Sequence, residues 1–432
     1  MSVKDRLKRL TGEGGQPTDN VSQSEIISEL RKKIDAIMAR RASYPQKTVS
    51  HRARSARDLR EVITGEEVSN ALGTCFFCRN AFLSRSYHGS CEVSRFALAD
   101  MEAASLLAGH PGISSMAITD ALFLDTETTG LSGGTGTFAF LIGLGWFEGE
   151  DFIVCQLFSR DYHEEASMLA LLAEIAREKR FLVTFNGRGF DLSLLAARYI
   201  LNRLEDPLIA MPHLDLLFPS RRLLGYRLEN SRLVTLESRI LGFARTGDVP
   251  GYEIPKRYFD WLKSRDASLL EDVFLHNRLD VVSMVALVSH LSDLLTGGGS
   301  RQDLHHGDLL AAAKFHIGRG RYESARSILE GLTASPHRPT AREARITLSL
   351  ACKRQGRWDE AVKIWEEMTA GDPEDLFAAE ELAKWFEHHV HDYSKAIEIV
   401  RRLLAGRKIL SPDEKEGLLH RLARLKRKAS GN

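Results

Sequence analysis

Hydrophobic positions in the middle of the chain follow two patterns, one typical of β-strands and one typical of α-helices. Apolar runs at Ala121 to Leu124, Thr137 to Phe147 and Phe152 to Phe158 predict three consecutive strands, of which the second and third are hairpin partners of the first. A fourth strand is predicted at Phe181 to Phe185, and a fifth, buried strand at His213 to Leu217. Three strands in a row, followed by strands that alternate with helices, predict an α/β mixed sheet with covering helices.

Helical periodicity marks four segments between and after these strands, where leucine, alanine and isoleucine recur every three or four residues. The segments are Glu164 to Lys179, Asp191 to Leu201, Leu233 to Leu241 and Leu269 to Leu295. Residues 60–115 are predicted to be a short strand-rich lead-in followed by a helix. The lead-in and the sheet together predict an α/β domain over residues 61–296.

The C-terminal part of the chain repeats a short motif about every 35 residues, between pairs of helical patterns. The copies are Gly320-Arg-Tyr-Glu-Ser-Ala325, Gly356-Arg-Trp-Asp-Glu-Ala361 and His391-Asp-Tyr-Ser-Lys-Ala396. This period resembles the tetratricopeptide repeat, in which stacked helix pairs bury each other's apolar faces. The glycine-rich segment Gly297 to Ser300 predicts a linker over residues 297–306, followed by an all-α helical-repeat domain over residues 307–428.

The first 60 residues are polar and rich in lysine and arginine, which predicts a flexible basic N-terminal region. Ser24 to Ala39 carries apolar residues at helical spacing and predicts one amphipathic helix within this region. The arginine-rich run from His51 to Arg57 favours a solvated flexible arm, and a phosphate contact is the alternative interpretation.

Charge and cysteine content narrow the class of protein without deciding it. The 432 residues carry 59 Lys and Arg against 58 Asp and Glu, a net charge of +1 that excludes a general polycation but allows a local basic groove. Five cysteines are too few for a disulfide framework. No signal peptide or membrane-spanning run is evident, so we expect a cytoplasmic protein without a membrane partner.

Four carboxylates occupy the ends of predicted elements in the α/β domain. Asp125 and Glu127 are two apart at the end of a strand and so point to one face. Asp191 opens a helix directly after a strand, where helix capping is the alternative role. His276 and Asp280 are four apart on a helix and share one face, although a histidine alone in this position is more often structural.

Four carboxylates on three elements are the donor set that hard divalent cations prefer. We therefore predict two Mg²⁺ or Mn²⁺ ions held by these four acids, which would stabilise the attacking and leaving oxygens of a phosphodiester. His276 is the candidate to take a proton from the attacking water. Asn186 is the candidate to donate a hydrogen bond to the substrate, and Thr128 with Gly133 and Gly134 lies where a substrate backbone would approach.

A structural zinc site is a second metal hypothesis, in the lead-in segment. Cys75, Cys78, His88 and Cys91 have the paired spacing of a tetrahedral site. The alternation of aromatic residues around them favours plain strands instead, with the cysteines as small buried hydrophobes.

The acidic motifs closely resemble those of the DEDD exonuclease superfamily of the ribonuclease H-like fold. Asp125 and Glu127 match its first motif, Asn186 with Phe190 and Asp191 its second, and Asp280 the acid of its third. Within that superfamily, residues 60–295 look most like bacterial YprB-type ribonuclease H-like proteins, on text such as FLDTETTGLSGGTG and HNRLDVVSM.

The resemblance implies a metal-dependent nuclease of 3′ to 5′ polarity. Our leading hypothesis is that it hydrolyses single-stranded or unpaired 3′ ends of DNA or RNA, while the helical repeats recruit a protein partner or shape the path of the substrate. One departure is that His276 stands four residues before Asp280, where the family has tyrosine at this spacing or histidine one residue farther away. Asp215 is a further acid, for which a structural role is favoured over support of the site. The alternative function is a non-catalytic adaptor that binds nucleic acid or protein.

Overall fold

A computed structural model of the chain describes residues 56–130, 136–297, 304–406 and 409–431. The predicted helix at Ser24 to Ala39, the glycines Gly133 and Gly134, and linker residues 298–303 lie outside the described residues.

Within the described residues, seven strands form a mixed sheet in the order β1-β2-β7-β6-β5-β8-β9, and two further strands form a small ribbon. The strands are β1 (Glu66–Asn70), β2 (Gly73–Phe82), β3 (Tyr87–His88), β4 (Cys91–Glu92), β5 (Ala121–Thr128), β6 (Ala139–Glu148), β7 (Asp151–Phe158), β8 (Phe181–Thr184) and β9 (His213–Asp215). Strands β5, β6 and β7 form the expected antiparallel meander, and β8 and β9 continue the sheet parallel to β5. The predicted mixed sheet is therefore confirmed.

The structure differs from the predicted sheet at both of its edges. The lead-in forms a hairpin, β1-β2, that pairs with β7 and extends the main sheet at its edge. The strand predicted at His213 to Leu217 ends at Asp215, because the Asp215 carboxylate accepts the backbone N–H of Leu217 at 3.1 Å and a helix begins there.

Helices cover both faces of the sheet, as predicted. They are α1 (Leu59–Val62), α2 (Met101–Ala108), α3 (Glu165–Arg177), α4 (Asp191–Leu201), α5 (Leu217–Leu224), α6 (Leu233–Leu236), α7 (Ile254–Ser264) and α8 (Glu271–Thr296). The helix predicted at Leu233 to Leu241 changes to π-helical geometry at Glu237–Leu241. Successive side chains of a strand alternate between faces, so Leu122 and Leu124 pack with α3 and α4 while Phe123 packs with α8.

The helix α8 is the central helix on its face of the sheet. Together with the preceding turn, Ala267–Thr296 is long and apolar enough to cross a membrane, but 72% of its most apolar window is buried inside the protein. Such burial is typical of a core helix, and the apolar composition is explained by its contacts with β5, β6 and β7.

The C-terminal region is helical in its described residues, with helices that pack against their neighbours in sequence. They are α9 (His306–Gly318), α10 (Tyr322–Thr333), α11 (Arg338–Arg354), α12 (Trp358–Gly371), α13 (Leu376–Trp385), α14 (Tyr393–Ala405) and α15 (Pro412–Ala429). The repeated motif has a physical basis. Its first residue has a left-handed backbone, with φ of 74° at Gly320, 75° at Gly356 and 60° at His391, and its alanine is fully buried in every copy.

The zinc hypothesis is wrong, because its four residues do not converge. Cys75 and Cys78 are three apart on β2 and therefore point to opposite faces, where they join different cores. Burial raises the pKa of the Cys75 thiol to about 11 and that of Cys78 to about 12. His88 contacts another residue, with its Nε2 2.8 Å from the Ser283 hydroxyl. Cys91 is therefore not joined by Cys75, Cys78 and His88 in a shared metal site.

Candidate active site

The end of β5 carries the first two acids on the side that faces α8. Asp125 and Glu127 follow Phe123 on this face, while Thr126 follows Leu124 on the opposite face. The pairing of β5 with β6 shifts register between Glu127 and Thr128, which ends the regular ladder just beyond the acids. The Thr128 hydroxyl then donates to the Gly130 carbonyl at 2.7 Å and holds the chain as it leaves the sheet.

The third acid, Asp191, is the first residue of α4 and is buried. Its Oδ1 accepts a hydrogen bond of 2.5 Å from the Thr126 hydroxyl, which ties α4 to the end of β5. The preceding loop depends on Asp215. This buried carboxylate accepts the backbone N–H groups of Asn186 at 2.8 Å and Arg188 at 3.0 Å, and so holds Asn186 in the left-handed region at φ 67°. Asp215 therefore holds the loop that carries Asn186, a contact that fits both the structural role and the support of the site considered from the sequence.

The fourth acid, Asp280, lies on α8 together with His276 and Asn277. Asn277 is fully buried, and its Nδ2 donates to Asp125 Oδ2 at 2.9 Å, which joins α8 to β5. His276 faces two acids: Nδ1 lies 2.7 Å from Asp248 Oδ1, and Nε2 lies 3.7 Å from Asp280 Oδ2. The ring is therefore positioned by Asp248, with its Nε2 turned toward Asp280.

Arg245 holds the same face of the site with its guanidinium. Its Nε and Nη2 donate to Glu237 at 2.7 and 2.5 Å, its Nη1 contacts Asp248 at 3.2 Å, and its Nη2 also donates to Asp280. The side chains of Arg245 and Glu237 are 3% and 0% exposed, so this is a buried ion pair. Asp280 thus has one oxygen engaged by a permanent cation of the protein.

The acids influence one another strongly across the site. Burial, followed by the charges of Asp280 and its neighbours, raises the pKa of Asp125 and of Glu127 well above their ordinary values. Burial also raises the pKa of Asp191 to about 6, against the opposing effect of the hydrogen bond from Thr126. The four acids predicted from the sequence therefore share one electrostatic environment, which a cation would stabilise.

The donor set suits a hard cation, and most of its members also have partners within the protein. Within the described parts of the chain, no three His, Cys, Asp or Glu side chains converge as ready-made metal ligands. Three of the four acids are engaged by other groups of the protein, since Asn277 engages Asp125, Thr126 engages Asp191 and Arg245 engages Asp280.

A cavity of about 500 Å³ opens beside the acids, on the α4 side of β5. Its walls include Thr126, Thr128, Phe190 and Asp191, and the Phe190 ring is 53% exposed. Asn186 lies near this cavity, since a Cβ at the lining residue Gly189 would be 3.6 Å from Asn186 Oδ1. Thr128 therefore lines this cavity together with Asp191, and Asn186 lies close to it.

Four residues of the site escaped prediction from the sequence: Glu237, Arg245, Asp248 and Asn277. Asn277 lies inside the acidic motif between His276 and Asp280, so its position was a usable signal. The glycines Gly143 and Gly145 within a predicted strand were another, because an isolated strand glycine often marks a close approach. Arg245 lies in an irregular segment, where local pattern carries no such signal.

Comparison with known proteins bears on the whole α/β region. Residues 122–292 match the family model of the RNase_H superfamily. The chain is also similar to the "Uncharacterized protein YprB" of Bacillus subtilis (strain 168), with 35% identity over 314 residues that cover 71% of this chain and 75% of that protein. Residues 122–292, which match the family model, contain the four acids, His276, Asn277 and Arg245.

Proposed function

The chain belongs to the YprB family of the RNase H superfamily, and from this premise we propose that it is a metal-dependent nuclease, a DEDD-type 3′ to 5′ exonuclease of DNA or RNA. The observation that carries the proposal is the meeting of Asp125, Glu127, Asp191 and Asp280, from three separate elements, in one electrostatic environment. A protein that merely binds a polyanion has no use for this concentration of negative charge.

The four acids would hold two Mg²⁺ or Mn²⁺ ions through their carboxylate oxygens. Such ions, when bound, stabilise both the attacking and the leaving oxygen of a phosphodiester during in-line displacement. Asp280 would offer Oδ2, because Arg245 engages Oδ1. His276 would accept a proton from the attacking water at Nε2, because Asp248 holds Nδ1.

The cavity beside Asp191 supports an exonuclease over an endonuclease. Its volume of about 500 Å³ suits one nucleotide at the end of a strand, and the exposed Phe190 ring offers a face on which a base can stack. Asn186 would donate a hydrogen bond to that nucleotide. The C-terminal helices would recruit a protein partner of the nuclease.

The decisive experiment is degradation of 5′-labelled single-stranded DNA and RNA with Mg²⁺ or Mn²⁺, compared between wild type, Asp125→Ala and Asp280→Ala. We expect a ladder that shortens from the 3′ end in the wild type and a loss of at least about 100-fold in each variant. Degradation that persists in both variants would contradict the proposed site. His276→Ala separates the proton-transfer role, for which we expect a loss of about 100-fold or more.

A non-catalytic adaptor is the second candidate, favoured by the ion pair between Arg245 and Asp280. In that case the guanidinium would replace a metal ion as the permanent partner of the fourth acid. Titration with Mn²⁺ distinguishes the two, because an adaptor of this kind would neither bind the ion nor cleave nucleic acid. It would still bind single strands, with a strong dependence on salt.

A further inference from the structure

A row of paired residues crosses the sheet from the candidate metal site to its far edge. Asp125 on β5 pairs with Gly143 on β6, Gly143 pairs with Gln156 on β7, and Gln156 pairs with Cys78 on β2. Directly paired residues of neighbouring strands point to the same face. Asp125 and Gln156 therefore lie on the face covered by α8, with a gap between them where Gly143 has no side chain.

Asn277 of α8 fills this gap. A Cβ built on Gly143 would lie 2.3 Å from Asn277 Oδ1 and 2.8 Å from Asn277 Cγ, distances that no packing tolerates. The glycine is therefore required by the asparagine. Gly145, two residues along the same face, makes a comparable approach to Val281, whose Cγ1 would be 2.5 Å from an added Cβ.

The buried amides form a directed chain of hydrogen bonds. Gln156 Nε2 donates to the Phe274 carbonyl at 2.8 Å and to Asn277 Oδ1 at 2.9 Å, and Asn277 Nδ2 donates to Asp125 Oδ2 at 2.9 Å. The Asp125 carboxylate at one end and the Phe274 carbonyl at the other are both acceptors. This fixes the direction of both amides, because rotating either one would bring two acceptor oxygens together.

We propose that Asn277, held over Gly143 by Gln156, is a positioning residue that fixes the Asp125 carboxylate for metal binding. Its amide engages Oδ2 and leaves Oδ1 to the ion. The inference rests on the proposed metal site and adds to it a support that lies outside the four acids. Gln156 and Asn277 are 1% and 0% exposed, so the chain of hydrogen bonds is shielded from competing water.

The first test is the affinity for Mn²⁺, measured by calorimetry and by the electron paramagnetic resonance of the free ion. We expect Asn277→Ala to weaken binding about tenfold, the lower end of the usual effect of losing a hydrogen-bonded support of a metal ligand. Gln156→Met, which keeps the length of the side chain and removes its donors, should weaken binding less than Asn277→Ala. Unchanged affinity in both folded variants would overturn the proposal.

The glycine provides a sharper test that does not depend on how well a single variant packs. Gly143→Ala should displace Asn277 and weaken Mn²⁺ binding by about the same factor as Asn277→Ala. In the double variant Gly143→Ala/Asn277→Ala the clash is gone, so Mn²⁺ binding should be no weaker than in Asn277→Ala. Losses that multiply in the double variant would overturn the role of Asn277.

The matched control is Gly145→Ala, which disturbs the same strand through Val281 instead of Asn277. Adding Asn277→Ala should give no relief there, and the two effects on Mn²⁺ binding should multiply. Asp125→Asn separates this inference from the proposed function. If wild type binds no Mn²⁺, or if Asp125→Asn binds it as wild type does, the metal site itself fails. If Asp125→Asn loses binding while Asn277→Ala retains it, the positioning role alone fails.

Discussion

Arg245 is the residue on which the charge balance of the candidate site depends. It contacts Glu237, Asp248 and Asp280, and its partner Glu237 also accepts a hydrogen bond from Ser283 in the core. A buried carboxylate that loses its cation is left uncompensated in a medium of low polarity. Arg245 is therefore held by three carboxylates at once, and it engages Oδ1 of Asp280.

Arg245→Met should lower the free energy of unfolding by about 3–5 kcal/mol, because it leaves Glu237 buried without a cation. Replacing both partners, in Glu237→Leu/Arg245→Met, should recover much of that loss. Urea unfolding in the presence of EDTA measures the free energy of unfolding of the single and the double variant. Arg79→Met is the control, since its pair with Glu148 is about half exposed and its loss should cost less than about 1 kcal/mol. A double variant as unstable as the sum of its parts would contradict the pairing.

At the scale of elements, the sequence predicted the strands and helices that are marked by a regular pattern of apolar residues. The meander β5-β6-β7, the helices α3, α4 and α8 and the repeated helical pairs follow from continuous apolar runs or helical spacing. The pairing of the lead-in hairpin with β7 could not be predicted from local pattern, because the two paired strands are far apart in the sequence. The π-helical turn at Glu237–Leu241 also has no local signature, although it carries the partner of Arg245.

The residues of the candidate site likewise include some that the sequence predicted and others that only tertiary contacts place there. Asp125, Glu127 and Asp191 were predictable because each lies at the end of a strand or opens a helix, where the element itself fixes the direction of the side chain. Arg245 and Asp248 lie in an irregular segment, so their place depends on tertiary contacts alone. The zinc hypothesis failed because spacing that suits a metal also occurs in a strand, whose alternation separates Cys75 from Cys78.

A buried acid at the end of α13 joins this helix to α15. Glu387 lies in the π-helical segment Phe386–Val390 after α13, and its side chain is fully buried. It accepts hydrogen bonds from Arg421 at 2.9 Å, Arg424 at 2.8 Å and Lys428 at 3.0 Å, all on α15. Burial alone would raise its pKa, but the hydrogen bonds from Arg424 and Lys428 outweigh it and lower the pKa to about 2.

Glu387→Gln should lower the free energy of unfolding by about 2 kcal/mol at pH 7, because hydrogen bonds to a charged acceptor are lost. The folded pKa is below the ordinary value of 4.5, so the charged form stabilises the fold above pH 4.5 and this stabilisation is lost as the pH falls toward 2. Thermal unfolding across pH 2–7 should therefore show a difference from wild type that shrinks below pH 4.5. Glu398→Gln, in an exposed pair with Arg402, should show almost no difference at any pH.

At the scale of the whole molecule, the sheet region and the C-terminal helices share a continuous core. Leu291 and Leu295 at the end of α8 belong to the same buried cluster as Phe315 of α9 and Trp365 of α12. A buried ion pair adds to this contact. Asp308 of α9 is 2% exposed and accepts from Arg227 at 2.8 and 2.5 Å and from the Tyr226 hydroxyl at 2.8 Å. We expect the two regions to unfold together.

Arg227→Ala tests this coupling, since it removes the cation of Asp308 and leaves the contact between α9 and the sheet region weakened. We expect a loss of about 2 kcal/mol in the free energy of unfolding. Urea unfolding followed by circular dichroism and by tryptophan fluorescence should give one coincident transition in wild type and separated transitions in Arg227→Ala. Arg239→Ala is the control, because its contact with Glu229 is 3.8 Å long and exposed, and its loss should cost less than about 0.5 kcal/mol. Separated transitions already in the wild type would contradict the shared core, and the helical region would then be an independent folding unit.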